Sequence, residues 1–311
     1  MLLVKAAGAD VRRNWCELLS EMRPGLVARS FDEPALRPEE ARYALAWEPE
    51  PGWLASLPNL RVIFSLGAGV DHITRDPNWP RAVPLVRMGG EETGQRMGEY
   101  IAWACLHLLR HGRDFALAQA EARWAYKVGE DTARDLTVGI MGLGTLGAAA
   151  VPMLRGLGYR VVGWSRSRKV VEGAESFAGE GELDAFLARS QVLVCLLPAT
   201  PETAGIVDAR LLARLPRGAA LVNAARGAHV VTADLLAALD SGQLSGAVLD
   251  VFEPEPLEAG SPLWAHPKVT VTPHVASVAR RRERARYVAE AIAAFEAGGP
   301  LPNLYDPDRG Y

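Results

Sequence analysis

Three side chains able to move protons or stabilise charge follow short apolar runs in the last third of the chain. Arg226 lies in Asn223-Ala-Ala-Arg-Gly227, Glu255 stands between Pro254 and Pro256, and His274 follows Thr272-Pro273. An arginine presents a planar, always-charged fork that clamps a carboxylate and polarises a carbonyl. The plainer alternative for Arg226 is a loop arginine in water. An imidazole can give a proton to an oxygen that gains negative charge. Glu255 is either the carboxylate that pairs with His274 or one acid of a solvated acidic loop, since Glu253 and Glu258 stand beside it. Spacing along the chain leaves these alternatives open.

Residues so far apart act together only if the fold brings them to one edge. The stretch Leu136–Gly147 reads as a short apolar strand, with Val138 and Ile140 as its β-formers, breaking into a Gly-x-Gly-x-x-Gly turn at Gly142, Gly144 and Gly147. The helix it opens would aim free N–H groups and the positive end of its dipole at a phosphate. Further strands are expected at 160–164, 192–197, 220–223, 247–250 and 269–272, several of them continuous apolar runs suited to a parallel sheet covered on both faces. Helical stretches at 182–189, 208–215 and 232–241 separate them, the last with Thr232 as its N-cap and Gly242 at its end. In such sheets ligands bind beyond the carboxyl ends of the strands. Pro198, Asn223, Arg226, Asp250, Glu255 and His274 all fall at that edge. Pro152 lies inside the helix after the glycine turn, where a kink is expected.

The first segment repeats the alternation, with candidate strands at 2–5, 26–29, 44–47, 62–66 and 83–86, and a helix over 15–23. It reads as a small α/β domain. The longest helical periodicity covers Gln95–Glu121, and residues 123–135 read as a loop. Composition sets outer limits. At 311 residues with 49% hydrophobic and 23% charged residues and a formal net charge of −3, the chain is a globular protein without an overall basic footprint for nucleic acid. No apolar stretch is long enough to cross a membrane, and the N-terminus lacks the pattern of a secretory signal. Cys16, Cys105 and Cys195 fit neither a disulfide framework nor a metal knuckle, which points to a reducing cytoplasm and no metal. The basic run Arg280–Arg286 falls on a helix and reads as a solvated face or dimer surface.

Taken together, several motifs in order carry a resemblance. Leu66-Gly-Ala-Gly-Val-Asp71, Gly142–Gly147, Leu196-Leu-Pro-Ala-Thr-Pro-Glu-Thr203, Asn223–Gly227, Leu249-Asp-Val-Phe-Glu-Pro-Glu-Pro256 and Thr272-Pro-His274 resemble the D-isomer-specific 2-hydroxyacid dehydrogenase family over essentially the full length. Within it, Gly67–Asp71, Trp164–Lys169, Ala228-His-Val-Val231 and Ser261-Pro-Leu-Trp264 look most like the glyoxylate/hydroxypyruvate reductase A group. The resemblance implies a Rossmann-type doubly wound domain, residues 96–276, inserted into a smaller flavodoxin-like α/β substrate domain, residues 1–95 and 277–311, with the active site in the cleft between them. It implies that Arg226 binds the substrate carboxylate and carbonyl oxygen, and that His274 is the acid/base with Glu255 as its partner. Ala68, Gly69 and Val70 would hold the carboxylate through backbone N–H groups, and Trp47 could line the substrate cleft. The cofactor would meet Gly142, Leu143, Gly144, Thr145, Leu146, Gly147, Leu197, Pro198, Ala224 and Ala225, with Asp250 facing the nicotinamide carboxamide. A homodimer is also implied.

One departure bears on the cofactor. Where NAD binders place an acid for the ribose 2′-hydroxyl, this chain has Ser165, Arg166, Ser167, Arg168 and Lys169. An acid would repel a 2′-phosphate and this run would bind it, so NADPH is expected. The expected reaction is reduction of a short 2-oxo acid, glyoxylate or hydroxypyruvate by resemblance. Alternatives are another D-2-hydroxyacid or phosphite-type dehydrogenase, a methyltransferase with a similar glycine loop, and a non-catalytic nucleotide-sensing scaffold. The last predicts loss of the Arg–Glu–His set, which is complete here. A formate enzyme would carry glutamine at Glu255.

Overall fold

A computed structural model describes residues 1–34 and 36–310. The chain divides into two compact units: a terminal unit, Met1–Glu92 with Val278–Tyr311, and a central unit, Thr93–Ser277.

The terminal unit is built on five parallel strands: β1 (Leu2–Lys5), β2 (Ala28–Ser30), β3 (Tyr43–Ala46), β4 (Val62–Ser65) and β5 (Leu85–Val86). They lie in the order β2-β1-β3-β4-β5. Every residue of β1, β3 and β4 is buried, because these strands carry core on both faces. Side chains alternate between the faces as the pleat requires. Leu2, Val4, Leu45 and Phe64 pack with Trp15 and Leu19 of the helix Ala9–Met22 and with Val288 and Ile292 of the helix Arg281–Glu296. Leu3, Ala44 and Ile63 face Leu54, Ile73 and Trp79. The chain's last long helix thus completes the core of its first segment. Its basic run is engaged within the unit: Arg280 with Glu92, Arg281 with Asn14, Arg282 with Glu21, Arg284 with the Leu66 carbonyl and Arg286 with Glu283.

The central unit holds seven parallel strands: β6 (Thr137–Met141), β7 (Arg160–Ser165), β8 (Glu175–Ala178), β9 (Val192–Cys195), β10 (Ala219–Asn223), β11 (Leu244–Leu249) and β12 (Val269–Val271). Their order is β12-β11-β10-β9-β6-β7-β8, so the winding reverses between β6 and β9. That reversal is the topological switch point of a doubly wound sheet. Val138, Ile140, Val194, Val222 and Val248 form the core on one face, and Leu193, Leu221, Ala247 and Leu249 on the other.

Three local expectations change. Strand β8 escapes the pattern because its residues, Glu-Ser-Phe-Ala, lie on an exposed sheet edge and lack a continuous apolar run. The helix expected over 95–121 is two helices, Glu91–Leu109 and Gly112–Ala120, broken where His111 takes a left-handed conformation at φ 55°. Thr232 is the first helical residue of Thr232–Asp240 and Val231 is its N-cap, without a side-chain cap bond. The helix expected after the glycine turn is present as Thr145–Gly156, with exposed Pro152 inside it. Among the described residues, no helix is long and apolar enough to cross a membrane.

Candidate active site

The glycine turn joins β6 to the helix Thr145–Gly156 and sits at the switch point. Gly142 has φ 107°, and a Cβ there would lie 2.6 Å from the Leu196 carbonyl oxygen of the loop after β9. A Cβ at Gly147 would lie 2.0 Å from the Gly142 carbonyl oxygen, so only glycine lets the helix start this close to the strand. Gly144 caps the helix and, with Thr145, stays exposed. The first-turn amides of Thr145, Leu146 and Gly147 have no intrahelical acceptor, as at any helix start. The Leu143 side chain is buried in the core, which leaves only its backbone to face a ligand. Leu197 is buried likewise, and the Pro198 carbonyl bonds His229 Nε2 at 3.1 Å.

The turn after β7 carries the basic run. Ser165 Oγ is buried and has no hydrogen-bond partner among the described residues, as fits a hydroxyl that awaits a ligand. Arg166, Ser167, Arg168 and Lys169 are exposed. Arg168 is already engaged, by the Ser176 carbonyl and by the Glu182 carboxylate. Arg166 stands nearer Glu202, whose carboxyl lies below its ordinary range, first through the Thr200 hydrogen bond and in smaller part through the Arg166 charge. The donor set (a phosphate-accepting helix start, an unpartnered hydroxyl and two guanidinium groups) fits a dinucleotide with a 2′-phosphate.

Arg226, Glu255 and His274 follow the carboxyl ends of three adjacent strands, β10, β11 and β12. His274 Nδ1 lies 2.7 Å from Glu255 Oε2, and Glu255 Oε1 accepts the Phe252 N–H at 2.9 Å. A carboxylate can only accept, so Nδ1 carries the proton in that bond and Nε2 is the ring nitrogen outside it. Both side chains are about one-third exposed, at 36% and 35%. His274 holds a left-handed backbone, φ 54°, which is costly for a residue with a Cβ.

Asp250 fixes that backbone. It is buried, at 1% exposure. Its carboxylate takes the Thr272 hydroxyl at 2.6 Å and the N–H groups of Val275 and Ala276 at 2.9 Å each, while its own carbonyl takes the His274 N–H at 2.8 Å. Tyr100 OH backs Thr272 Oγ1 at 2.7 Å. On β10, buried Asn223 plays a parallel part. Its Oδ1 accepts the Ala225 N–H at 3.2 Å and its Nδ2 donates to the Arg226 carbonyl at 2.9 Å. Arg226 Nη1 donates to the Ala225 carbonyl at 2.6 Å. Ala224 and Ala225 are buried beneath this turn. Asn223, Thr272 and Tyr100 went without a role in the sequence. Asn223 and Thr272 signalled themselves only as polar residues at strand ends, and Tyr100, inside the helix Glu91–Leu109, gave no such signal.

In the terminal unit, Ala68, Gly69 and Val70 form the turn between β4 and the short helix Asp71–Thr74. Trp47 follows β3, and its indole lies 4.3 Å from the His72 ring, tilted 36°.

The chain is similar to known proteins. A family model described as D-isomer specific 2-hydroxyacid dehydrogenase, NAD binding domain, matches residues 102–276. The chain is similar to glyoxylate/hydroxypyruvate reductase A of Klebsiella pneumoniae (strain 342), 45% identical over 302 residues that make up 96% of each. It superposes on a D-isomer specific 2-hydroxyacid dehydrogenase from Xanthobacter autotrophicus Py2, solved with NADPH and MES, with a TM-score of 0.93, 44% identity and coverage of 100% and 99%. An NADPH-dependent glyoxylate/hydroxypyruvate reductase from Sinorhizobium meliloti, solved with NADP and sulfate, gives a TM-score of 0.91, 40% identity and the same coverage, 100% and 99%.

Proposed function

The chain belongs to the D-isomer-specific 2-hydroxyacid dehydrogenase family, and from that premise we propose that it is an NADPH-dependent reductase of short 2-oxo acids. It reduces glyoxylate to glycolate and hydroxypyruvate to D-glycerate. The observation that carries this reading is the 2.7 Å His274–Glu255 pair at the carboxyl edge of the sheet that also bears the Gly142–Gly147 turn.

The central unit is read as the dinucleotide-binding domain and the terminal unit as the substrate domain. Gly142–Gly147 and the first-turn amides hold the pyrophosphate, with Leu197, Pro198, Ala224 and Ala225 along the cofactor. Ser165, Arg166, Ser167, Arg168 and Lys169 take the 2′-phosphate. Asp250 accepts three bonds and keeps one acceptor position for the carboxamide. Bound NADPH supplies the hydride. Arg226 orients the substrate carboxylate and stabilises negative charge on the carbonyl oxygen, an interaction of the oxyanion type worth about 2.7–4 kcal/mol. Ionised Glu255 holds Nδ1–H, so His274 presents Nε2 as the position from which the oxygen is protonated. Ala68, Gly69 and Val70 bind the carboxylate through their amides, and Trp47 shapes the substrate's surroundings.

NADPH oxidation, measured side by side with glyoxylate, hydroxypyruvate, pyruvate and phenylpyruvate, tests the substrate assignment. The first two should give the highest kcat/KM. A clear preference for pyruvate or phenylpyruvate would move the chain to another branch of the family.

The reading includes a homodimer. Trp124 and Tyr126, 95% and 86% exposed, lie on the strand-free stretch before β6, and Trp103 and Phe115 are exposed on the two preceding helices. So much aromatic surface in one segment suits a second copy. Light scattering should give twice the chain mass, and the double substitution Trp124→Ala, Tyr126→Ala should lower it. The three cysteines are free thiols, and burial pushes Cys105 and Cys195 up to about 12. Unpaired thiols suit the reducing cytoplasm, the location this reading assigns.

A further inference from the structure

Ser65, the last residue of β4, is fully buried, and its hydroxyl sits inside the turn that follows. It accepts the Gly67 N–H at 3.1 Å, reaches the Gly69 carbonyl at 3.1 Å and meets His72 Nε2 at 3.4 Å. A hydroxyl has one proton and two lone pairs. The Gly67 N–H can only donate and the Gly69 carbonyl can only accept, so the Ser65 proton goes to Gly69. His72 must then approach with Nε2–H, which fixes its tautomer, while its ring supports the Trp47 indole.

The backbone groups of residues 66–70 can be followed one by one. The Leu66 N–H donates to the Ala46 carbonyl at 3.0 Å, and the Leu66 carbonyl accepts from Arg284 Nη1 at 3.4 Å. The Gly67 carbonyl accepts the Met88 N–H at 3.0 Å. The Val70 carbonyl accepts the N–H groups of Ile73 and Thr74 at 2.8 and 2.9 Å. The consecutive amides of Ala68, Gly69 and Val70 donate to no protein acceptor among the described residues. Neighbouring protein groups hold the turn on its inner side, and three N–H groups remain for an anion.

We propose that Ser65 is the positioning residue for carboxylate recognition, because its hydroxyl alone ties both the entry and the apex of this turn. The proposal rests on the reading of Ala68–Val70 as the carboxylate site. Without the hydroxyl, the Gly67 N–H and Gly69 carbonyl lose their partner and the turn that carries the three amides loses this tie. Ser65 acts before chemistry, on substrate and transition state alike, so its removal should raise KM and leave kcat nearly unchanged.

The test uses the full chain at saturating NADPH, with glyoxylate as substrate and oxalate as a dead-end dicarboxylate probe. Ser65→Ala should raise KM for glyoxylate and Ki for oxalate about tenfold, as loss of two modest hydrogen bonds implies, with kcat within about threefold and NADPH affinity unchanged. Ser65→Cys keeps the packing volume while weakening the bonds, so it should follow alanine and decides the question if Ser65→Ala does not fold. Ser65→Thr restores the hydroxyl and should recover most of the affinity. Unchanged Ki in the alanine or cysteine variant, or a fall in kcat at constant KM, overturns the role of Ser65. A crystal structure with oxalate and NADP+ separates the two levels. Oxalate away from the Ala68–Val70 amides defeats the carboxylate reading itself. Oxalate on those amides upholds it, and the Ki values then decide the role of Ser65.

Discussion

Replacing Asp250 separates the scaffold of the site from its chemistry. Its carboxylate is 1% exposed and holds the N–H groups of Val275 and Ala276 at 2.9 Å and the Thr272 hydroxyl at 2.6 Å. In Asp250→Ala the Thr272 hydroxyl keeps Tyr100 at 2.7 Å, and the two amides lose their acceptor. Each stranded amide costs about 1–3 kcal/mol. Removing a buried carboxylate returns part of this, because its desolvation is no longer needed. A net loss of about 2–4 kcal/mol follows, or a fall in Tm of roughly 5–15 °C for a unit of this size. The same change releases His274 from its left-handed backbone, since the amides that follow it are no longer held. His274 then leaves Glu255, and kcat should drop by about 10²-fold or more, the usual contribution of a positioned general acid. Calorimetry and glyoxylate reduction at saturating NADPH measure the two quantities separately. Asp250→Asn keeps one acceptor oxygen and should fall between alanine and wild type. A folded Asp250→Ala chain with Tm within about 2 °C and kcat within about threefold of wild type would remove Asp250 from the support of His274.

Substitutions at four further residues probe the chemistry and the cofactor site. His274→Asn places a residue tolerant of positive φ at the same backbone position, so it should fold with near-native Tm and still lose about 10²–10⁴ in kcat; retained kcat would remove His274 from proton transfer. Arg226→Ala should cost about 10²–10³ in kcat, and Arg226→Lys should recover little because an ammonium cannot bridge carboxylate and carbonyl as a fork does. A near-normal kcat in folded Arg226→Ala would sink its assignment. At the cofactor, Arg166→Ala should lower the NADPH/NADH ratio of kcat/KM by about tenfold or more. Arg168→Ala should lower it as well, and it also releases Glu182 and the Ser176 carbonyl. If the double variant leaves the ratio unchanged, the run does not read the 2′-phosphate.

Buried parallel strands announce themselves as apolar runs, and for that reason eleven strands of the two sheets were legible in the sequence to within a few residues at their ends. β8 was not, since an exposed edge strand has no such run to show. The helix break at His111 was hidden because the apolar spacing carries on through Gly112–Ala120, and only the His-Gly pair hints at the reversal. Arg226, Glu255 and His274 stood out because chemistry-bearing side chains are rare after buried strands. The contacts that aim them did not. Asp250 meets Thr272, Val275 and Ala276 more than twenty positions away, and no local spacing signals such contacts. Ser65 looks like an ordinary strand end, and its role depends on a hydroxyl pointing into the turn that follows it.

Hydride reduction of a short 2-oxo acid with NADPH is the reaction on which every assigned role depends, and a single-turnover experiment isolates it. The enzyme, in excess over NADPH, is rapidly mixed with glyoxylate while nicotinamide absorbance and glycolate are followed. Complete loss of reduced nicotinamide, with one glycolate formed per NADPH, is the expected result. Binding of NADPH without its oxidation by glyoxylate, in a chain of native Tm, would contradict it.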